Sequence, residues 1–169
     1  MFLWITLGCM SAEPVLTGLS SAPATEIAVE SADSYVYERP DGVLVDVPHM
    51  VGKSLDAARV LLEQQMGSLQ AVEALGSREG RQIQFERGRV REIDGSIYQV
   101  HVDLPRPVRR SEAMRMVGLP SQVREWLGAA LEWRTSWVHG MERVRMGREE
   151  RGSEFVIWVE VRRYNPRKR

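Results

Sequence analysis

Asp94-Gly95 introduces the most regular stretch of the chain. After it, Tyr98, Val100, Val102 and Leu104 alternate with Gln99, His101 and Asp103, a strand with one apolar face and one wet face. The Asp-Gly pair suits the positive φ angles of a two-residue turn, so a hairpin is expected there. A strand apolar on one side needs a second layer against that side.

The flanking sequence predicts that layer. Arg39-Pro-Asp-Gly42 reads as a turn, and Val43–Val47 as a short extended run stopped by Pro48. Ser54 offers an N-cap to a helix carrying Leu55, Ala58, Leu61 and Leu62 up to Gly67. Leu69 to Leu75 reads as a second helical stretch, and Ile83 and Phe85 as part of a strand. Pro105 and Pro107 are expected to end the strand after Asp94-Gly95, and Ser111 to cap a short helix that Gly118-Leu-Pro120 stops. Val123, Trp126, Leu127, Ala130 and Leu131 have the spacing of a core-facing helix capped by Ser121. Strand character returns at Trp133, Thr135 and Trp137, with a bulge or turn at His139-Gly140. The last strand is expected over Glu154–Tyr164, with Phe155, Ile157, Val159 and Val161 on one face and Trp158 on the other. The order is β-α-α-ββ-α-α-ββ, an α+β domain with short helices packed on an antiparallel sheet, and no internal repeat has a convincing period.

Composition narrows the class. A chain of 169 residues, 43% hydrophobic and with 23 basic against 23 acidic side chains, suffices for one core. Its single cysteine excludes an intramolecular disulfide framework and a cysteine-rich zinc module. No apolar run approaches the ~18–20 residues of a membrane-spanning helix. The neutral total hides an asymmetry: residues 1–40 carry five acidic side chains against Arg39 alone, whereas residues 105–169 hold fifteen basic and eight acidic ones.

Residues 1–9, Met-Phe-Leu-Trp-Ile-Thr-Leu-Gly-Cys, are apolar up to the cysteine, and residues 10–38 form a linker whose first half is rich in Ser, Ala, Pro and Thr. Such a linker buries too little apolar surface to offset its ordering entropy, so a flexible tether is expected. An apolar segment, a small residue, a cysteine and a small-polar linker together resemble a bacterial lipoprotein signal. The resemblance implies lipid on Cys9 and a membrane-anchored cell-envelope location; the turn at Arg39-Pro-Asp-Gly42 and the patterning after it predict a single folded domain over residues 39–169. Several acyl chains, at ~0.8 kcal/mol per buried CH₂, amount to stable attachment.

Within residues 45–67, Val47, Pro48, Val51, Gly52, Ser54, Leu55, Ala58 and Leu62 resemble the opening of a PASTA domain. PASTA domains are extracytoplasmic and linked with peptidoglycan fragments; the second half of that pattern is not recognisable after Gly67, and no ligand residues carry over. Met116-Val-Gly-Leu-Pro120, with the tryptophan-bearing strands after it, is similar to small outer-membrane lipoproteins of the SmpA/OmlA type. That similarity implies a non-enzymatic envelope role.

Chemistry-bearing residues are sparse. His49, His101 and His139 lie far apart and have no metal-ligand spacing. There is no Gly-rich phosphate loop and no acidic cluster suited to a metal, so no cofactor is expected. His101 and Asp103 share the wet face of their strand and have the types of a base and its orienter, but no motif-placed nucleophile accompanies them. An exposed cross-strand polar pair is the plainer reading. Trp158, opposite the apolar phase of the last strand, is the candidate contact residue. Arg162, Arg163, Arg167, Lys168 and Arg169 form a basic end able to meet anionic lipid or phosphate. The expected function is a non-catalytic, lipid-anchored envelope module for binding or assembly, partnered by the membrane and by a wall or envelope component. The contrary readings are a wall-enzyme accessory acting through His101/Asp103 and a cytosolic nucleic-acid binder using the basic end.

Overall fold

A computed structural model describes residues 38–76, 80–123 and 125–163. Cys9, the linker up to residue 37, and Arg167, Lys168 and Arg169 lie outside them. Turn formation at Asp41-Gly42 opens the described chain, with Val43 N–H donating to the Pro40 carbonyl at 3.1 Å. Val43–Val47 is not the extended strand its composition suggests. Leu44 and Val45 N–H both donate to Met116 O, and Val47 N–H to Val117 O, so the segment docks on a helix end. Asp46 accepts from His49 N at 3.2 Å and Pro48 enters the first helical turn, so this proline starts a helix instead of stopping a strand.

That turn is α1 (Val47–Met50). Gly52, at φ +91°, redirects the chain into α2 (Leu55–Met66), which Ser54 caps by accepting from Ala57 N. Gly67, at φ +84°, ends it. Ala58, Leu62 and Met66 face the core; Leu55 and Leu61 are only partly buried. Residues 69–75 are not helical: β1 (Leu69–Ala74) is an exposed edge strand paired with β2 (Gly80–Phe85). So short a run nucleates a helix poorly, whereas the neighbouring strand supplies its backbone with partners.

β3 (Gly88–Ile93) and β4 (Ser96–Arg109) form the hairpin at Asp94-Gly95, with φ angles of 52° and 73°. Pro105 and Pro107 do not end β4. They fall between Asp103 and Val108, where pairing with the neighbouring strand is interrupted, so their missing N–H groups remove no ladder bond. α3 (Arg110–Met116) follows directly, with Arg109 at its N-cap position and Ser111 inside the helix, and Gly118 at φ +72° turns the chain away.

The expected helix from Ser121 does not form. Leu127 pairs with Arg134, and Gly128 with Trp133, as the two-residue β5 (Leu127–Gly128) beside β6 (Glu132–Val138). Leu127 and Leu131, both assigned to a buried stripe by their spacing, are exposed. β7 (Met141–Arg148) follows the His139-Gly140 turn, and β8 (Phe155–Arg163) closes the sheet. Trp137, at φ +58°, breaks the alternation of β6, so Val138 enters the core while Trp137 stays 68% exposed. Pairing on both sides of β8 shifts near Val156, which buries Val156 and leaves Phe155 and Ile157 exposed, contrary to simple alternation.

The eight strands form one antiparallel sheet in the order β1-β2-β3-β4-β8-β7-β6-β5. Each half is a four-stranded meander preceded by a helix, and the two meet where β4 pairs with β8. No sequence period reports this doubling. Val90, Val100, Val102, Val144, Val159 and Val161 share one core with α1, α2 and α3. The fold is thus α+β, with short helices on one face of an antiparallel sheet.

Candidate functional site on the polar face of the sheet

The opposite face has no covering helix among the described residues, and register dictates what it presents. Residues paired across antiparallel strands point the same way. One row therefore runs Gln84, Arg89, His101, Glu160, Arg145, Arg134 across six strands. A second runs Glu73, Gln82, Arg91, Gln99, Arg162, Arg143, Ser136 across seven strands. A shorter third holds Asp103, Trp158, Gly147 and Glu132. Among the described residues, six arginines share this face with four carboxylates, Glu73, Asp103, Glu132 and Glu160.

The centre is tightly engaged. Arg145 donates to Glu132 at 2.6 and 3.2 Å and to Glu160 at 3.2 Å. His101 Nε2 lies 3.2 Å from Asp103 Oδ1, and its Nδ1 stands 3.8 Å from Glu160, beyond hydrogen-bond reach. Burial pushes the Glu160 carboxyl up, but His101 and Arg145 outweigh it and hold the group below the ordinary carboxylate range. The Glu132 hydrogen bonds, opposed by burial and reinforced by the charge of Glu160, hold Arg145 above its usual value. Arg91 Nε donates to Gln82 at 3.0 Å.

His101 and Asp103 do meet, but not as an exposed cross-strand pair. They sit two apart on β4, the cross-strand neighbour of His101 is Glu160, and His101 is only 7% exposed. Trp158 covers it, with ring centroids 5.0 Å apart and an interplanar angle of 29°. The indole also extends over Gly147 on β7, where any Cβ would overlap its Nε1. Trp158 is therefore a half-buried plate laid on the sheet.

Alternation separates the two described arginines of the basic end. Arg162 lies on the polar face with its guanidinium 5.2 Å from the Tyr98 ring centroid. Arg163 points to the other side and places its guanidinium on the Gly52 backbone, where a side chain would otherwise stand. Both belong to β8 and neither is part of a frayed tail. Arg89, Glu132, Arg145, Gly147 and Glu160 were not singled out by sequence; their one signal was the polar phase of each strand, which does not say which strands adjoin. Among the described residues no group of three or more His, Cys, Asp or Glu side chains is placed to hold a metal ion. No helix among them is long and apolar enough to cross a membrane. No protein-family model matches this chain, and no curated protein or solved structure matches it either.

Proposed function

We propose that the protein is a non-catalytic binding module of the bacterial cell envelope, held to the membrane by lipid on Cys9, with residues 10–38 linking that anchor to the folded domain. It binds an anionic wall or envelope polymer across the polar face. The observation that carries this reading is the face itself: three registered rows with six arginines against four carboxylates, and a flat tryptophan at their centre. Broad, charged surfaces of this kind suit an extended polymer better than a small substrate. Both nitrogens of His101 are turned toward carboxylates beneath Trp158, which favours a positioning role over proton transfer at a cleft.

The test has two readouts. Fractionated cells should hold the native chain in the membrane fraction and release Cys9→Ala. The released full-length variant should sediment with purified peptidoglycan sacculi at low salt, and lose that binding at high salt or with Arg143→Glu/Arg162→Glu. A chain that stays soluble with Cys9 intact overturns the envelope assignment. Failure to sediment overturns the role of the polar face.

A further inference from the structure

On the core side of the sheet, tryptophan and arginine alternate. The Arg110 guanidinium carbon lies 5.5 Å from the Trp126 ring centroid and 4.0 Å from that of Trp133, and Arg148 lies 4.0 Å from Trp133 as well. Gly128, opposite Trp133 on β5, makes room for the indole, since a Cβ there would meet the ring at 2.7 Å. Cation–π contact engages the face of a guanidinium and leaves its in-plane N–H groups free to donate. Arg110 is thus held by rings while its donors stay unengaged.

Arg110 lines a pocket of about 430 Å³ together with Arg109, Ser111, Ser121 and Gln122. None of these five side chains makes a hydrogen bond or ion pair with another described residue. The contrast with the polar face is sharp, because there the arginines Arg145 and Arg91 are already bonded to Glu132, Glu160 and Gln82. Trp126 supplies an aromatic wall to the pocket, and Glu154 is the one carboxylate among the described residues that line it. Two arginines with hydroxyl and amide donors around one small cavity match a tetrahedral dianion, and the indole matches the organic part of such a ligand.

We propose that this pocket binds the phosphoryl group of a small soluble phosphate monoester, received by Arg109, Arg110 and the Ser111 and Ser121 hydroxyls, with its organic part against Trp126. The site is separate from the polymer-binding face and stands whether or not that assignment holds.

The test uses the full chain carrying Cys9→Ala and follows tryptophan fluorescence and amide NMR shifts. The probes are glucose 1-phosphate, inorganic phosphate and glucose. Saturable changes centred on residues 109–126 are expected with glucose 1-phosphate, weaker ones with phosphate, and none with glucose. Arg109→Gln, which leaves the tryptophan contacts intact, should weaken binding about tenfold, the size of a lost charge-assisted hydrogen bond. Arg110→Lys should weaken it at least as much, with circular dichroism confirming the fold. An equal response to glucose, no saturable response to either phosphate compound, or unchanged affinity in Arg109→Gln overturns the proposal. Binding to phosphatidylglycerol vesicles with no response to the soluble phosphates overturns it too, in favour of a lipid-surface contact.

Discussion

The Trp158 indole occupies the space over Gly147 that any other residue would fill with its Cβ. The two face each other across β8 and β7, and the same device recurs at Trp133 and Gly128 across β6 and β5, on the other side of the sheet. In each case a glycine, normally a weakness in a strand, is covered by its cross-strand aromatic partner.

Gly147→Ala should therefore displace the indole and cost about 1–3 kcal/mol, as overpacking usually does. The same change in a Trp158→Ala background should cost much less, because the colliding group is gone. Urea unfolding of the four proteins measures the coupling. Equal costs in both backgrounds would show that Gly147 matters for some reason other than Trp158.

A second expectation concerns the entry to α2. Ser54→Ala should cost ~1 kcal/mol through loss of the cap to Ala57 N. Gly52→Val should cost more, because φ is +91° and Arg163 lies on that backbone. Arg163→Ala should soften the Gly52→Val penalty by removing the collision but not the strain. Thermal melts of the single and double variants rank the three effects.

Glu160 makes stability sensitive to acid. Its folded-state value lies below the ordinary 4.5, so the folded chain favours the charged form. The stabilisation is present above the unfolded value and is lost as pH falls through the folded one. Glu160→Gln should be less stable than the native chain at neutral pH, and the gap should narrow on acidification below 4.5. A gap independent of pH, followed by chemical denaturation, would assign the loss to packing.

The β6–β7 turn leaves room for improvement. His139 sits at φ +47° before Gly140 at +77°, positions that suit Asn-Gly best. His139→Asn should raise stability by about 0.5 kcal/mol, a turn-propensity effect visible as a shifted urea midpoint with an unchanged slope.

Local sequence carried the parts of the fold that depend on local chemistry. Asp94-Gly95, Ser54 with its cap, and the alternation of Val100 and Val102 with Gln99, His101 and Asp103 act within a few residues, and the structure follows them. Tyr98 does not keep the phase, because pairing with β3 shifts there: Ile97 enters the core in its place and the Tyr98 ring meets Arg162 on the polar face. Gln99 and His101 are buried instead of wet. The errors lie where distant partners decide. Val123, Trp126 and Leu127 have helical spacing, yet Leu127 pairs with Arg134 and Trp126 lies near Arg110, and neither attraction is visible in the local pattern. Leu69–Ala74 likewise follows its neighbour Gly80–Phe85 over its own propensity. The site was half legible for the same reason. Trp158 and Arg162 stood out on the polar phase of β8, and His101 and Asp103 on that of β4. That these two strands adjoin is set by a pairing between residues some sixty positions apart, such as His101 with Glu160.

β8 is the last described strand to be made, and it lies in the middle of the sheet, between β4 and β7. On the ribosome, β1–β4 and β5–β7 can form as two hairpin arrays, but each keeps a bare inner edge until residues 155–163 emerge. Closure thus waits for β8, and a chain stalled before Phe155 exposes two unsatisfied strand edges, the form of intermediate most open to chaperones and to self-association.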